Sequence, residues 1–173
     1  MTLVFICYTT NMNKNEIEKW LDSMEITNYT INNDLTVDVN GDVYLSWKKL
    51  TSIPVQFGKV SGSFRCYMNK LTSLVGCPSS VGGGFFCYDN KLISLAGCPS
   101  SVGGSFSCHN NKLTSLVGCP SGVGVHFHCD NNQLTSLAGC PSSVGSAFYC
   151  DAHLKTCIEY KRYEVMKKVQ QLA

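Results

Sequence analysis

Cysteines are the residues of this chain with the most varied chemistry, and their spacing is regular. The chain has 173 residues, of which 11 are cysteine. The segment LVGCPSSVGGGFFCYDNKL, at positions 74–92, holds Cys77 and Cys87 and recurs almost unchanged further along. If the copies stack, equivalent cysteines come about 5 Å apart, which is within disulfide range. The cysteines could therefore form a ladder of disulfides, hold a metal array, or fill a core as small apolar groups.

The sequence favours reduced thiols in a core. The C-x-x-C spacing that is typical of zinc sites does not occur. The opening MTLVFICYTT is apolar but lacks the basic flank and the cleavage site of a signal peptide. We therefore predict a cytoplasmic protein, in which cysteines stay reduced. An odd number of cysteines would also leave one unpaired in any full set of disulfides.

Three histidines form a second group with chemical potential. His126 and His128 lie two residues apart and so share one face of a strand, while His109 falls on the neighbouring strand beside Asp130. The group is compatible with a metal or small-ligand site, or with a contact patch that responds to pH. The chain shows no Ser-His-Asp set, paired carboxylates or phosphate-binding loop. We expect no enzymatic activity and no cofactor.

The elements that position these residues follow a period of 21 residues. The pattern F-x-C-x-x-N-x-L recurs with phenylalanine at Phe64, Phe85, Phe106, Phe127 and Phe148. F-x-C alternates like a strand, so that Phe and Cys point to the same side. A fixed period of this length is typical of a solenoid, in which coils stack because one unit cannot bury its own apolar face. We expect the asparagine to bond backbone groups in the bend after the strand.

The repeat resembles the leucine-rich-repeat pattern L-x-L-x-x-N-x-L, with Phe and Cys in place of two leucines. The resemblance covers residues 39–154 and is closest to short bacterial repeats and to repeats encoded by tailed phages. It implies a repeat solenoid of the α/β leucine-rich-repeat type. Such a fold has a parallel β-sheet on one face and mostly irregular connections on the other. The resemblance also implies a phage protein that binds and modulates a host protein in the host cytoplasm.

Both ends of a solenoid need covers for their apolar faces. Residues 1–38 are predicted to form an N-terminal cap with a helix at about 14–24, which Asn13 and Glu16 would cap. Residues 155–173 are predicted to form a C-terminal cap helix. Thr156 and Glu159 would be its capping box. Its apolar stripe would consist of Ile158, Val165, Val169 and Leu172.

Binding positions in a repeat protein are those that vary between copies. The variable positions around F-x-C point outward, and they carry aromatics, histidines and an arginine, which are types favoured at protein interfaces. We predict a non-catalytic protein-binding solenoid that uses this face. Its predicted contact residues are Arg65, Tyr67, Phe86, Tyr88, His109, His126, His128, Asp130, Tyr149 and Asp151.

Charge disfavours two other classes of partner. The formal net charge is only +2, so nucleic acid and anionic membrane are not expected partners. A lysine column does follow the asparagines, but exposed lysines are usually just solvated. The column consists of Lys49, Lys70, Lys91 and Lys112. A structural solenoid that associates with itself is the remaining alternative, because the middle of the chain carries little charge.

Overall fold

The structure, a computed structural model, describes residues 12–171 and the side chains of residues 12–168. The predictions made for the opening segment and for the side chains of Val169 and Leu172 lie outside the described residues. The elements, in chain order, are α1 Lys14–Ser23, β1 Tyr29–Ile31, β2 Val37–Val39, β3 Val43–Tyr44, β4 Phe57–Val60, β5 Phe64–Arg65, β6 Ser80–Val81, β7 Phe85–Phe86, β8 Ser101–Val102, β9 Phe106–Ser107, β10 Gly122–Val123, β11 Phe127–His128, β12 Ser143–Val144, β13 Phe148–Tyr149, a 3-10 helix Ala152–Thr156, and α2 Ile158–Gln171.

The strands form two sheets that run along one solenoid. The first sheet has the order β1-β2-β4-β6-β8-β10-β12, and the second has the order β13-β11-β9-β7-β5-β3. All neighbours are parallel except β1, which lies antiparallel to β2. Phe64 pairs with Phe85 and Phe85 with Phe106, so each coil advances by one repeat. The predicted β-solenoid with a 21-residue repeat is confirmed.

The prediction of one sheet was incomplete, because each coil contributes a second strand. In the regular coils, the strands of the first sheet are Ser-Val or Gly-Val pairs that precede the glycines, and Val81 pairs in register with Val102. A Cβ at Gly103 would collide with the carbonyl oxygen of Gly82, and one at Gly82 with that of Ser61. Glycine therefore lets consecutive coils approach closely enough for their backbones to pair. The long arc that follows the second sheet in each coil is irregular, as predicted.

Phenylalanine and cysteine of the repeat point inward, as predicted. Phe64, Phe85 and Phe106 are 0 % exposed, and their rings stack at centroid distances of 5.7 and 5.5 Å. Cys66 and Cys87 are also 0 % exposed. The ten cysteines of the described part are free thiols. Burial raises the pKa of Cys98 to about 12, so this half-buried thiol stays protonated.

The asparagine column joins neighbouring coils, which confirms the predicted role. The side-chain amide of Asn90 donates to the carbonyls of Cys66 and Cys87, at 3.0 and 3.1 Å. Its Oδ1 accepts from the backbone N–H of Leu71 at 2.9 Å. One side chain thus satisfies backbone groups of its own coil and of the preceding coil.

The predicted N-terminal helix is present. Asn13 and Glu16 form both bonds of the capping box. Ile17 and Leu21 are buried, and the ring of Trp20 meets that of Phe57 edge-on at 6.3 Å. These contacts attach α1 to the start of the solenoid core.

The predicted capping box of the C-terminal helix was wrong, and the two described residues of its predicted apolar stripe, Ile158 and Val165, are exposed. Thr156 is the last residue of the 3-10 helix, and its hydroxyl donates to the carbonyl of His153. The helix α2 begins two residues later, at Ile158. Ile158 is 71 % exposed. The aromatic rings of Tyr160 and Tyr163 pack on Phe148 instead, because that phenylalanine has no following coil to cover it.

Candidate functional site

The ten predicted contact residues lie on the side of the second sheet that points away from the core, which we call the outer face. The second residues of the short strands occupy one column of this face, which includes Arg65, Phe86 and His128. A second column lies two residues further along each coil. It contains Tyr67, Tyr88, His109, Asp130 and Asp151. The parallel register places members of a column side by side on successive coils.

The aromatic side chains of the outer face stack on one another. Tyr67 and Tyr88 are nearly parallel, at 5°, with centroids 4.5 Å apart, and Tyr88 and His109 are 4.5 Å apart at 9°. These three residues are half-buried. These aromatic residues point outward, as predicted, but they are not open surfaces. Neighbouring rings cover one another's faces and leave their edges for contact.

The stack shifts to the strand column in the later coils. His128 and Tyr149 lie 4.2 Å apart at 14°, and His109 meets His128 at 6.1 Å in a tilted arrangement. His126 approaches the edge of His128 at 6.1 Å. Burial lowers the pKa of His128. Asp130 opposes this shift, while the neighbouring His109 and His126 lower the pKa further. The imidazole of His128 is therefore biased towards its neutral form.

Arg65 contacts two rings and a carboxylate at the N-terminal end of the outer face. Its guanidinium carbon lies 4.8 Å from the ring centroid of Tyr44 and 5.7 Å from that of Phe86. Its Nη1 donates to Asp42 Oδ2 at 2.8 Å, forming an ion pair. Asp42 accepts hydrogen bonds from the backbone N–H of Ser63 and from the side chains of Arg65 and Tyr44. These bonds, of which that from Ser63 has the largest effect, hold the pKa of Asp42 below its usual range. The arginine is thus pre-positioned between two rings.

The ring of Phe86 lies over its own strand at Gly84. A Cβ at Gly84 would stand 2.5 Å from Cε2 and Cζ of this ring. Ser63, Ser105 and Ala147 carry side chains at equivalent positions in other coils. Only glycine is compatible with the flat orientation of Phe86.

Two acidic residues lie near the other end of the outer face. Asp151 Oδ1 accepts from the backbone N–H of Asn131 at 2.9 Å, which ties two coils together. Its Oδ2 is buried and has no hydrogen-bond partner within the described part of the chain. Asp130 is half-buried next to the histidines.

Sequence analysis missed three exposed side chains in the first two coils. Tyr44 is 58 % exposed, Trp47 is 67 % exposed and Met68 is 38 % exposed. Tyr44 precedes Arg65 in the strand column, and Trp47 precedes Met68 in the following turn. Val43 stands one repeat before Phe64, so the spacing already placed Tyr44 in the same column as Arg65. Tyr44 was overlooked because the first coil is degenerate, with Lys48 where the other coils have asparagine.

Among the described residues, no group of three or more His, Cys, Asp or Glu side chains could hold a metal ion. The histidines described above therefore lack such a ligand set. Among the described helices, none is long and apolar enough to cross a membrane.

Fold and surface together define a β-solenoid repeat protein with an aromatic outer face. No protein-family model, curated protein or solved structure matches the chain.

Proposed function

We propose that this protein is a non-catalytic solenoid that binds another protein through the outer face. The observation that carries the proposal is the arrangement of Arg65 between Tyr44 and Phe86, fixed by Asp42. Arginine and tyrosine are among the residues that contribute most to binding at protein interfaces. Side chains that are already ordered lose little entropy when a partner binds.

Further support comes from the position of the exposed aromatic residues. Tyr44 and Trp47 are more than half exposed. Tyr44 pairs in register with Arg65, and the backbone N–H of Trp47 donates to the carbonyl of Tyr67 at 3.3 Å. Tyr67 and Tyr88 extend this area over the next two coils through their stack. The centre of the proposed interface is therefore in the N-terminal coils, and the histidine-rich coils form its far side.

We also propose that the solenoid is of the leucine-rich-repeat type and that α1 and α2 act as its end caps. The spacing of the repeat and the bonds of Asn90 to two coils support the first part. The contacts of Trp20 with Phe57 and of Tyr163 with Phe148 support the second. Because the repeat resembles phage-encoded repeats, a bacterial host protein is the partner to test first.

The test is affinity capture of partner proteins from a bacterial lysate, with the wild type and two paired variants as bait. The first variant, Tyr44→Ser with Phe86→Ser, removes both rings around Arg65, and serine already occurs in that column at Ser107. The control variant, Ile93→Thr with Val117→Ser, removes side chains that are 65 % and 70 % exposed elsewhere on the surface. Proteins captured by the wild type and the control, but not by the first variant, would support the proposal.

Equal recovery by all three proteins, each shown to be folded by circular dichroism, would refute the role of the outer face. Sedimentation of the purified proteins separates a foreign partner from self-association. If the outer face binds a second copy, the wild type and the control should dimerise with concentration, while the first variant stays monomeric.

A further inference from the structure

The last coil has no coil after it, so the backbone groups that would bond to a following coil need other partners. In the inner coils, the carbonyl of Val125 accepts from the N–H of Ser146 at 2.7 Å. The equivalent carbonyl in the last coil, that of Ser146, accepts from the hydroxyl of Tyr163 at 2.5 Å. The carbonyl of Leu134 similarly bonds to His153 Nε2 at 3.1 Å. Side chains of the C-terminal segment thus replace a coil at two points.

Two carbonyls, one in β12 and one just before it, are not replaced in this way. One coil earlier, the carbonyl of Ser121 accepts from Ser142 N–H at 2.8 Å, and that of Val123 accepts from Gly145 N–H at 3.0 Å. Within the described residues, no donor reaches the corresponding carbonyls of Ser142 and Val144. An unpaired strand edge of this kind is a template for a further strand.

A cavity of about 410 Å³ lies beside this edge, between β12 and α2. Val144 and Phe148 line it from the coil, and Tyr163 and Met166 line it from the helix. We call the edge and the cavity together the terminal groove. We propose that the terminal groove binds an extended peptide segment of another protein, which adds to the first sheet as one more parallel strand.

The register of the first sheet defines which peptide fits. The two donors in each coil are three residues apart, as with Ser142 and Gly145, and the buried Val144 precedes the second donor. A Cβ at Gly145 would collide with the carbonyl oxygen of Gly124, and the same collision recurs at Gly124 with Gly103. The peptide therefore needs an apolar residue that is followed directly by glycine.

The walls of the terminal groove define the flanks of the peptide. The hydroxyl of Tyr163 already donates to the next carbonyl along the edge, that of Ser146. The peptide must therefore leave the sheet after its glycine. Arg162 and Lys167 of α2 line the cavity together with a single acid, Glu159. This excess of positive charge favours a peptide with an acidic residue near the Val-Gly pair. A second copy cannot simply continue the sheet, because β1 lies antiparallel across the opposite edge.

The probe is the fluorescein-labelled peptide GSPSSVGGE, which copies positions 76–83 with serine for cysteine and an added acid. Fluorescence anisotropy should show saturable binding to the full chain below about 1 mM. Methylation of the backbone nitrogens of its fourth and seventh residues removes the two donors and should weaken binding at least about tenfold. Replacing the glycine that follows the valine, the seventh residue of the peptide, by valine should abolish binding. The new side chain would collide with the backbone of the groove.

Paired variants of the protein locate the site. Met166→Trp fills the cavity and should weaken binding of the probe at least about tenfold. Val165→Trp, at a residue that is 60 % exposed and does not line the cavity, should leave it unchanged. The Tyr44→Ser, Phe86→Ser variant should also bind normally, which separates this proposal from the role of the outer face.

Three results would overturn the proposal, provided that circular dichroism shows each protein folded. They are no binding at about 1 mM probe, equal binding of the N-methylated probe, and equal binding by Met166→Trp. Equal binding of the N-methylated probe would show apolar contact without strand addition.

Discussion

The phenol ring of Tyr67 lies parallel to that of Tyr88, with centroids 4.5 Å apart. This distance is close to the spacing of adjacent β-strands, so planar side chains in one column of a parallel sheet can stack face to face. The outer face therefore stabilises the contact between coils and also presents a surface. A residue in the middle of the stack should affect folding even without a partner.

Tyr88→Ala should lower the free energy of unfolding by about 1–3 kcal/mol, because Tyr88 stacks on both Tyr67 and His109. Tyr88→His should cost less, since a planar ring remains and histidine occurs at the next position of the column. Urea unfolding, followed by circular dichroism, measures both. Equal losses for the two variants would argue against a stabilising role of the stack.

Phe86 and Gly84 should be energetically coupled, because the ring lies where a Cβ at Gly84 would stand. Gly84→Ser alone should destabilise the protein by about 1–3 kcal/mol by displacing the ring. The same change in the Phe86→Ser background should cost much less, since Ser105 and Ser107 already coexist in the next coil. A double-mutant cycle from urea unfolding gives the coupling. Additive effects would show that the ring does not lie on this glycine.

Asn90→Ala should lower the free energy of unfolding by about 2–4 kcal/mol, because it leaves carbonyls of two coils and the N–H of Leu71 without partners. Asn90→Asp should be worse, since a carboxylate would face the carbonyls of Cys66 and Cys87. Lys91→Ala, at the exposed neighbouring position, is the control and should have little effect. Thermal or urea unfolding ranks the three, and a mild effect of Asn90→Asp would contradict the donor role of the side chain.

Stability should fall on mild acidification because the pKa of His128 is lowered in the folded protein. The neutral imidazole is favoured by folding, so its contribution is complete above the ordinary pKa of 6.5. It is lost as the pH falls below 6.5 and through the lowered value. His128→Phe should reduce this pH dependence while keeping the stack on Tyr149. Unfolding curves between pH 5 and 8 test this, and an unchanged slope in the variant would exclude His128 as its source.

The thiols of the second sheet should resist alkylation in the folded protein. Cys66 and Cys87 are 0 % exposed, and burial raises the pKa of Cys87. Iodoacetamide labelling with peptide mass spectrometry should leave both unmodified in the native state and modify them in urea. Rapid native labelling would show that the coils open at these positions.

Much of the fold follows from the repeat. Phenylalanine at Phe64 and Phe85 and cysteine two residues later must face the same side of a strand, and one coil cannot bury them alone. The inward column of thiols and the bridging role of Asn90 were predictable for this reason, and the capping box of Asn13 was predictable from its three-residue spacing to Glu16. They depend on local spacing and on a constant register, and both can be counted along the chain.

Contacts that depend on the distance between coils, or on how a helix docks, were not predictable in this way. The first sheet exists because Gly82 and Gly103 allow the backbones to approach. The stack of Tyr67 on Tyr88 depends on the strand spacing, and the packing of Tyr163 on Phe148 depends on the angle at which α2 arrives. The amino-acid order thus specifies which residues recur on which side. The assembled coils settle which of them meet, because such contacts join positions that are fifteen or more residues apart.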